Sequence, residues 1–209
     1  RVYMLLVMFT VLLLLLYQRI MYTPSKPRRW TYLALGIITG LLVNTHYFAV
    51  LVVGVIGLWH LLQLFKGRPN RRWWGIIGAW VVSGIMLIPW LVNIQQAAQL
   101  AHNEPRVQAD LPLLLKITSD TFIAFSNASV SLLLILLAFS LLARPTRWIW
   151  LLTLLLFPLN LAIYYIFGLN ELRYNMAIMP FLALLAGVGI NELAKRRIPA
   201  LLIVVIWTI

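Results

Sequence analysis

From Trp30 to Phe65 the chain carries no charged residue, and a small polar knot, Asn44-Thr45-His46-Tyr47, interrupts the middle of that run. As one helix the run would extend about 54 Å, against a bilayer hydrocarbon core of about 30 Å. Both of its ends are basic, with Arg28 and Arg29 before it and Lys66, Arg68, Arg71 and Arg72 after it. Short loops rich in Lys and Arg stay on the cytoplasmic side, so two basic ends require an even number of crossings. The pattern predicts a hairpin of two short membrane helices, about Thr31 to Val43 and Tyr47 to Phe65, with the polar knot at its tip near the outer surface.

The same alternation of apolar runs and basic linkers extends along the chain. Val2 to Tyr17 reads as a first span running outside to inside, and Trp73 to Leu91 as a fourth, with Trp73 and Trp74 as its inner aromatic belt. Ser129 to Ala143, Trp148 to Phe167 and Tyr174 to Ile190 follow as further spans, and Pro199 opens an unfinished eighth. Asn93 to Asn127 is the long polar connection and falls on the outer side. Within it Asp110 can cap a helix with Pro112 in the first turn, and Leu111, Leu114, Leu115, Phe122 and Phe125 recur at roughly helical spacing. That spacing predicts an amphipathic helix lying in the interface.

The expected fold is therefore all-α: a single polytopic transmembrane helix bundle over residues 1–209, seven crossings plus a partial eighth, with one interfacial helix in the 93–127 loop. Four of the five acids, Glu104, Asp110, Asp120 and Glu171, fall outside in this topology, while every inner loop is basic. The chain opens on Arg1 without an initiator Met and stops half-way through a span, so the expectation is an internal fragment of a longer polypeptide.

Composition supports a membrane protein and changes the meaning of the charge. The 209 residues are 63% hydrophobic and 11% charged. A net charge of +12 would suggest nucleic acid in a soluble domain, but 13 of the 17 Lys and Arg lie in four clusters between apolar segments. That arrangement signals topology, and no nucleic-acid partner is expected. The chain has no Cys, which excludes disulfides, thiolate metal sites and cysteine nucleophiles within it.

Few residues could carry chemistry. His46 and Tyr47, at the mouth of a hairpin, could bind a phosphate, orient a sugar hydroxyl or move a proton, or else satisfy the backbone of a turn beside a belt aromatic. Arg173 and Tyr174 lie in the short loop before the seventh span; an Arg there could hold a lipid phosphate through two parallel hydrogen bonds, or snorkel and pair with Glu171. His60 reads as a helix-packing donor, and Pro158 with Asn160 as a kink with an interhelical hydrogen bond. His102 has no further ligand at usable spacing, so no metal site is expected.

Thr45-His46-Tyr47-Phe48-Ala49 in a hairpin, Pro89-Trp90-Leu91 leading to an outer loop with Arg106-Val107-Gln108-Ala109-Asp110, and Arg173-Tyr174-Asn175-Met176-Ala177-Ile178-Met179-Pro180 followed by Leu182-Ala183-Leu184-Leu185-Ala186-Gly187 together set a pattern. Its order and sidedness resemble the GT-C type membrane glycosyltransferases, the bacterial relatives of protein mannosyltransferases and of lipid A aminoarabinose transferase. The resemblance implies an enzyme of the bacterial cytoplasmic (inner) membrane that passes a sugar from a polyprenyl-phosphate donor to an acceptor at the outer face. It implies a substrate site of His46, Tyr47, Arg173 and Tyr174, with Arg173 on the departing phosphate. The family's acidic pair lies in an outer loop after the first span, and no such loop follows Tyr17. The expectation is that this region precedes Arg1, or that the chain is not a catalyst by itself, and no catalytic residue is assigned. A non-catalytic subunit packing against a larger membrane complex is the alternative from another class, and a flippase for a polyprenyl-linked substrate a third. Membrane lipids are the expected surroundings in each case.

Overall fold

A computed structural model describes residues 2–46, 48–67, 69–102, 110–126, 129–143, 146–167 and 177–196. All regular structure among them is helical. The helices are α1 (Val2–Tyr22), α2 (Arg29–Thr45), α3 (Ala49–Leu62) continued by a 3-10 turn (Gln63–Lys66), α4 (Arg71–His102), α5 (Leu111–Phe125), α6 (Val130–Ser140), α7 (Arg147–Phe167) and α8 (Met179–Lys195). They form two compact units, residues 1–105 and 106–209.

Two helices are long and apolar enough to cross a membrane, Tyr3–Tyr22 in α1 and Arg71–Pro89 in α4. Helices α5 and α6 meet at 86° and would count as a third if read as one broken span. Of the other expected crossings, α2 has 17 residues and α6 has 11, and α7 contributes a shorter apolar stretch, Arg147–Ala162. Large apolar side chains face outward along several of them, including Met4, Val81, Ile85, Ile88 and Leu154. Outward-facing apolar stripes of that extent suit lipid rather than water.

In the first unit, α2 and α4 are parallel neighbours, joined by the reverse crossing of α3. Tyr32 lies against Gly75, Gly36 against Ala79 and Gly40 against Met86, so the contacts advance in the same direction along both helices. The reason is a complementary set of small residues at every fourth position, Gly36 and Gly40 on α2 and Gly75, Ala79 and Ser83 on α4. Gly36 brings α2 onto the α4 backbone, and Gly40 and Gly75 make room for the Met86 and Tyr32 side chains of the opposite helix, the small-residue packing by which helices associate in lipid. A Cβ on Gly36 would stand 2.7 Å from the Ala79 carbonyl oxygen. The Ser83 hydroxyl donates across the seam to the Gly36 carbonyl at 2.8 Å.

The long apolar run does break where the hairpin requires it. Helix α2 ends at Thr45, His46 is extended (φ −160°, ψ 137°), and α3 starts at Ala49. Asn44 donates to the Gly40 carbonyl and Thr45 to that of Leu41, both at 2.7 Å, so two polar side chains fold back onto the last turns of α2.

Helix α4 differs from the expectation of a span ending near Leu91, because it continues through His102. Residues 93–102 are polar, but Asn-Ile-Gln-Gln-Ala-Ala-Gln-Leu-Ala-His contains no helix breaker, and Ala, Gln and Leu are good helix formers. Polarity there does not end the helix. Trp73 differs too: it is buried, whereas Trp74 is 59% exposed. Only Trp74 faces outward as a belt residue would.

In the second unit, α6 and α8 are parallel. Gly189 sits directly on the backbone of Leu136, and the Arg196 guanidinium lies 5.6 Å from the centre of the Phe139 ring. The Trp150 indole donates to the Ser140 hydroxyl at 2.8 Å, tying the start of α7 to the end of α6. Asp110 caps α5, accepting from the Leu113 amide at 2.9 Å with Pro112 in the first turn. Among the described side chains of α5, Ile117 and Thr121 are buried and Phe122 meets Phe157 of α7, while Leu111 and Leu115 are exposed.

Candidate functional site

Each unit has a basic end. In the first, Arg19 closes α1, Arg28 and Arg29 open α2, and Arg71 and Arg72 open α4, all at the end opposite the α2–α3 break. In the second, Arg147 opens α7 while Lys195 and Arg196 close α8. Antiparallel and parallel packing within each unit brings residues that are distant in sequence to the same level.

At the polar end of the first unit stands His46. Its Nδ1 accepts the Phe48 amide at 3.2 Å, and its backbone carbonyl accepts the Ala49 amide at 2.9 Å. An imidazole nitrogen that accepts an N–H carries a lone pair, so the neutral ring holds its proton on Nε2. The ring stacks on Phe48 at 5.6 Å and lies 5.1 Å from the ring of Tyr3 on α1. The imidazole is half-buried and oriented from two sides. Asn44 bonds the Gly40 carbonyl of its own helix and, at 3.4 Å, the Met86 carbonyl of α4, and Thr45 bonds its own helix. The approach of Tyr3 was not legible in the sequence, since 43 residues separate the two.

Tyr47, Arg173 and Tyr174, the remaining members of the expected substrate site, lie outside the described residues.

Toward the basic end, His60 is fully buried between α1, α3 and α4. Its Nε2 is 3.3 Å from the Trp73 carbonyl, which can only accept, so Nε2 bears the hydrogen and Nδ1 the lone pair. The Tyr17 hydroxyl therefore donates to Nδ1, at 3.2 Å. The Trp73 indole returns a hydrogen bond to the His60 carbonyl at 3.0 Å, and the two rings stack at 4.8 Å with 13° between their planes. Trp80 packs edge-on at 5.1 Å. With both nitrogens engaged by protein groups, His60 joins three helices, and its chemistry is structural.

Beside this girdle, Arg72 reaches from α4 to the end of α1. Its Nη1 donates to the Ile20 and Thr23 carbonyls, at 3.3 and 2.6 Å, and its Nη2 to those of Pro24 and Ser25, at 3.0 and 3.3 Å. A cation at the negative end of a helix dipole, satisfying its loose carbonyls, is a favourable arrangement. Hydropathy and charge place Arg72 in an inner loop but do not reveal that it fastens the α1–α2 linker.

The chain matches no protein family, no curated protein and no solved structure.

Proposed function

We propose that the chain is the membrane part of a GT-C type glycosyltransferase, crossing the bilayer seven times with a partial eighth span. It transfers a sugar from a polyprenyl-phosphate donor to an acceptor at the outer face of a bacterial cytoplasmic membrane. The observation carrying this reading is the oriented imidazole of His46 at the end of the first unit opposite the basic loops. Under the positive-inside rule that end faces outward. A neutral imidazole there, with its proton on Nε2, has the chemistry to donate to an oxygen of a lipid-linked phosphate. The short helices α2 and α6 cross where neighbouring helices shelter their ends, and α5, at 86° to α6, lies in the outer interface.

In this reading Tyr47 and Tyr174 line the donor site and Arg173 stabilises the departing phosphate. The base that deprotonates the acceptor comes from outside these residues, from an acidic outer loop or from a partner subunit. The test is transfer of radiolabelled sugar from polyprenyl phosphate in proteoliposomes holding the full native polypeptide, with Arg173→Ala and His46→Asn as variants. Loss of turnover with assembly intact is the expected result. Absence of transfer by the parent polypeptide would replace the enzyme reading with that of a non-catalytic subunit, and unchanged turnover in both variants would remove His46 and Arg173 from the donor site.

A further inference from the structure

The α1–α2 linker forms one wall of an open depression of about 390 Å³, lined by Arg19, Ser25, Lys26, Pro27 and Arg28. Three cationic side chains converge there, and the sequence contains no Asp or Glu before Glu104. No carboxylate within the first 103 residues can neutralise them. Arg72 does not compete for an anion in the depression, because its guanidinium is engaged by the carbonyls of residues 20 and 23–25. Its bonds instead fix the wall on which Ser25 and Lys26 stand.

Helix α2 opens at the same place, with Arg28 as its N-cap and no side-chain acceptor on its first amides. Those amides and the positive end of the helix dipole add to the three side-chain charges. At this same end Trp30 is 76% exposed, Trp74 59% and Phe65 89%. Outward aromatics of this kind sit at the level of lipid headgroups. The depression is therefore at headgroup depth and beside apolar helix faces, where a tethered anion is concentrated and a free one is not.

We propose that this depression binds the phosphodiester headgroup of an anionic phospholipid, in the leaflet bordering the basic loops. Arg19 and Arg28 can each present two parallel donors to its non-ester oxygens, and Lys26 acts as a point charge. Phosphate in a zwitterionic lipid carries its own choline cation into a site already holding three positive charges, so phosphatidylcholine is disfavoured. The site is on the side opposite His46, and its existence does not depend on sugar transfer.

The experiment titrates the purified full chain, in a neutral maltoside detergent, with short-chain phosphatidylglycerol, short-chain phosphatidylcholine or sodium phosphate, following the thermal unfolding midpoint. Saturable stabilisation by phosphatidylglycerol alone is expected, with half-saturation raised tenfold or more in R19Q/K26Q/R28Q. The single variant Lys26→Gln, in an exposed linker, should raise it severalfold and serves if the triple variant does not fold. R29Q/R71Q, which removes two nearby charges outside the depression, should leave half-saturation within twofold of the parent. Equal weakening by the control pair would reduce the effect to diffuse charge and overturn the proposal. Equal stabilisation by phosphatidylcholine, or by millimolar phosphate, would overturn it as well.

Discussion

His46 and His60 lie on the same hairpin, yet their rings are used in different ways. His60 has both nitrogens committed to α1 and α4, through the Tyr17 hydroxyl and the Trp73 carbonyl. Tyr17→Phe removes the hydroxyl and leaves Nδ1 buried without that donor. We expect a loss of about 1 kcal/mol, measured by equilibrium unfolding in mixed micelles, with no change in sugar transfer. His46 commits Nδ1 to the Phe48 amide. Asn can accept an amide two residues ahead in the same way, so His46→Asn should keep the hairpin's stability within about 0.5 kcal/mol while abolishing transfer. His46→Leu leaves that amide unpaired and should cost about 1–3 kcal/mol. A shared loss of stability and activity in both variants would assign His46 to the turn alone.

At Gly36 and Gly189 two helices approach each other where a side chain is missing. Gly189 touches the Leu136 backbone, which cannot move aside as the tip of a flexible side chain could. Gly189→Ala should therefore force α6 and α8 apart and cost about 1–3 kcal/mol, read by the same unfolding measurement. Gly54 and Gly187 have open space where a Cβ would go, and Ala at either should be close to neutral or slightly favourable to the helix. Helix α5 depends on a different device, its Asp110 cap. Asp110→Ala should cost about 1 kcal/mol and fray the first turn, visible as faster amide exchange at Leu113.

For the whole molecule, sorting of charge is the dominant constraint. Translocating Lys or Arg through hydrocarbon is costly, so each cluster selects a side and the apolar runs between clusters must cross or return. The absence of Cys makes this directly measurable, because any introduced thiol reports alone. Ser25→Cys and Thr45→Cys should react with a membrane-impermeant maleimide from opposite faces of oriented vesicles, as should Thr146→Cys and Ser119→Cys. Labelling of Ser25→Cys and Thr45→Cys from the same face would dismiss the hairpin and with it the proposed external position of His46.

What the residues alone determined are features governed by local chemistry and by bilayer thickness. A 36-residue uncharged run between basic ends has to break, and the break at His46–Phe48 falls on the polar residues able to close α2 and start α3. Asp110 before Leu111-Pro112 caps a helix for reasons contained within four residues. The tertiary structure decided which faces meet. In a chain so rich in Leu, many pairings bury similar area, and a seam such as Gly36 against the Ala79 backbone and Ser83 is selected by a close fit that no single helix displays. The Tyr17–His60 bond, the Arg72 clasp and the approach of Tyr3 to His46 each join residues 43 or more positions apart. Sequence could name those side chains, but their partners exist only once the helices have packed.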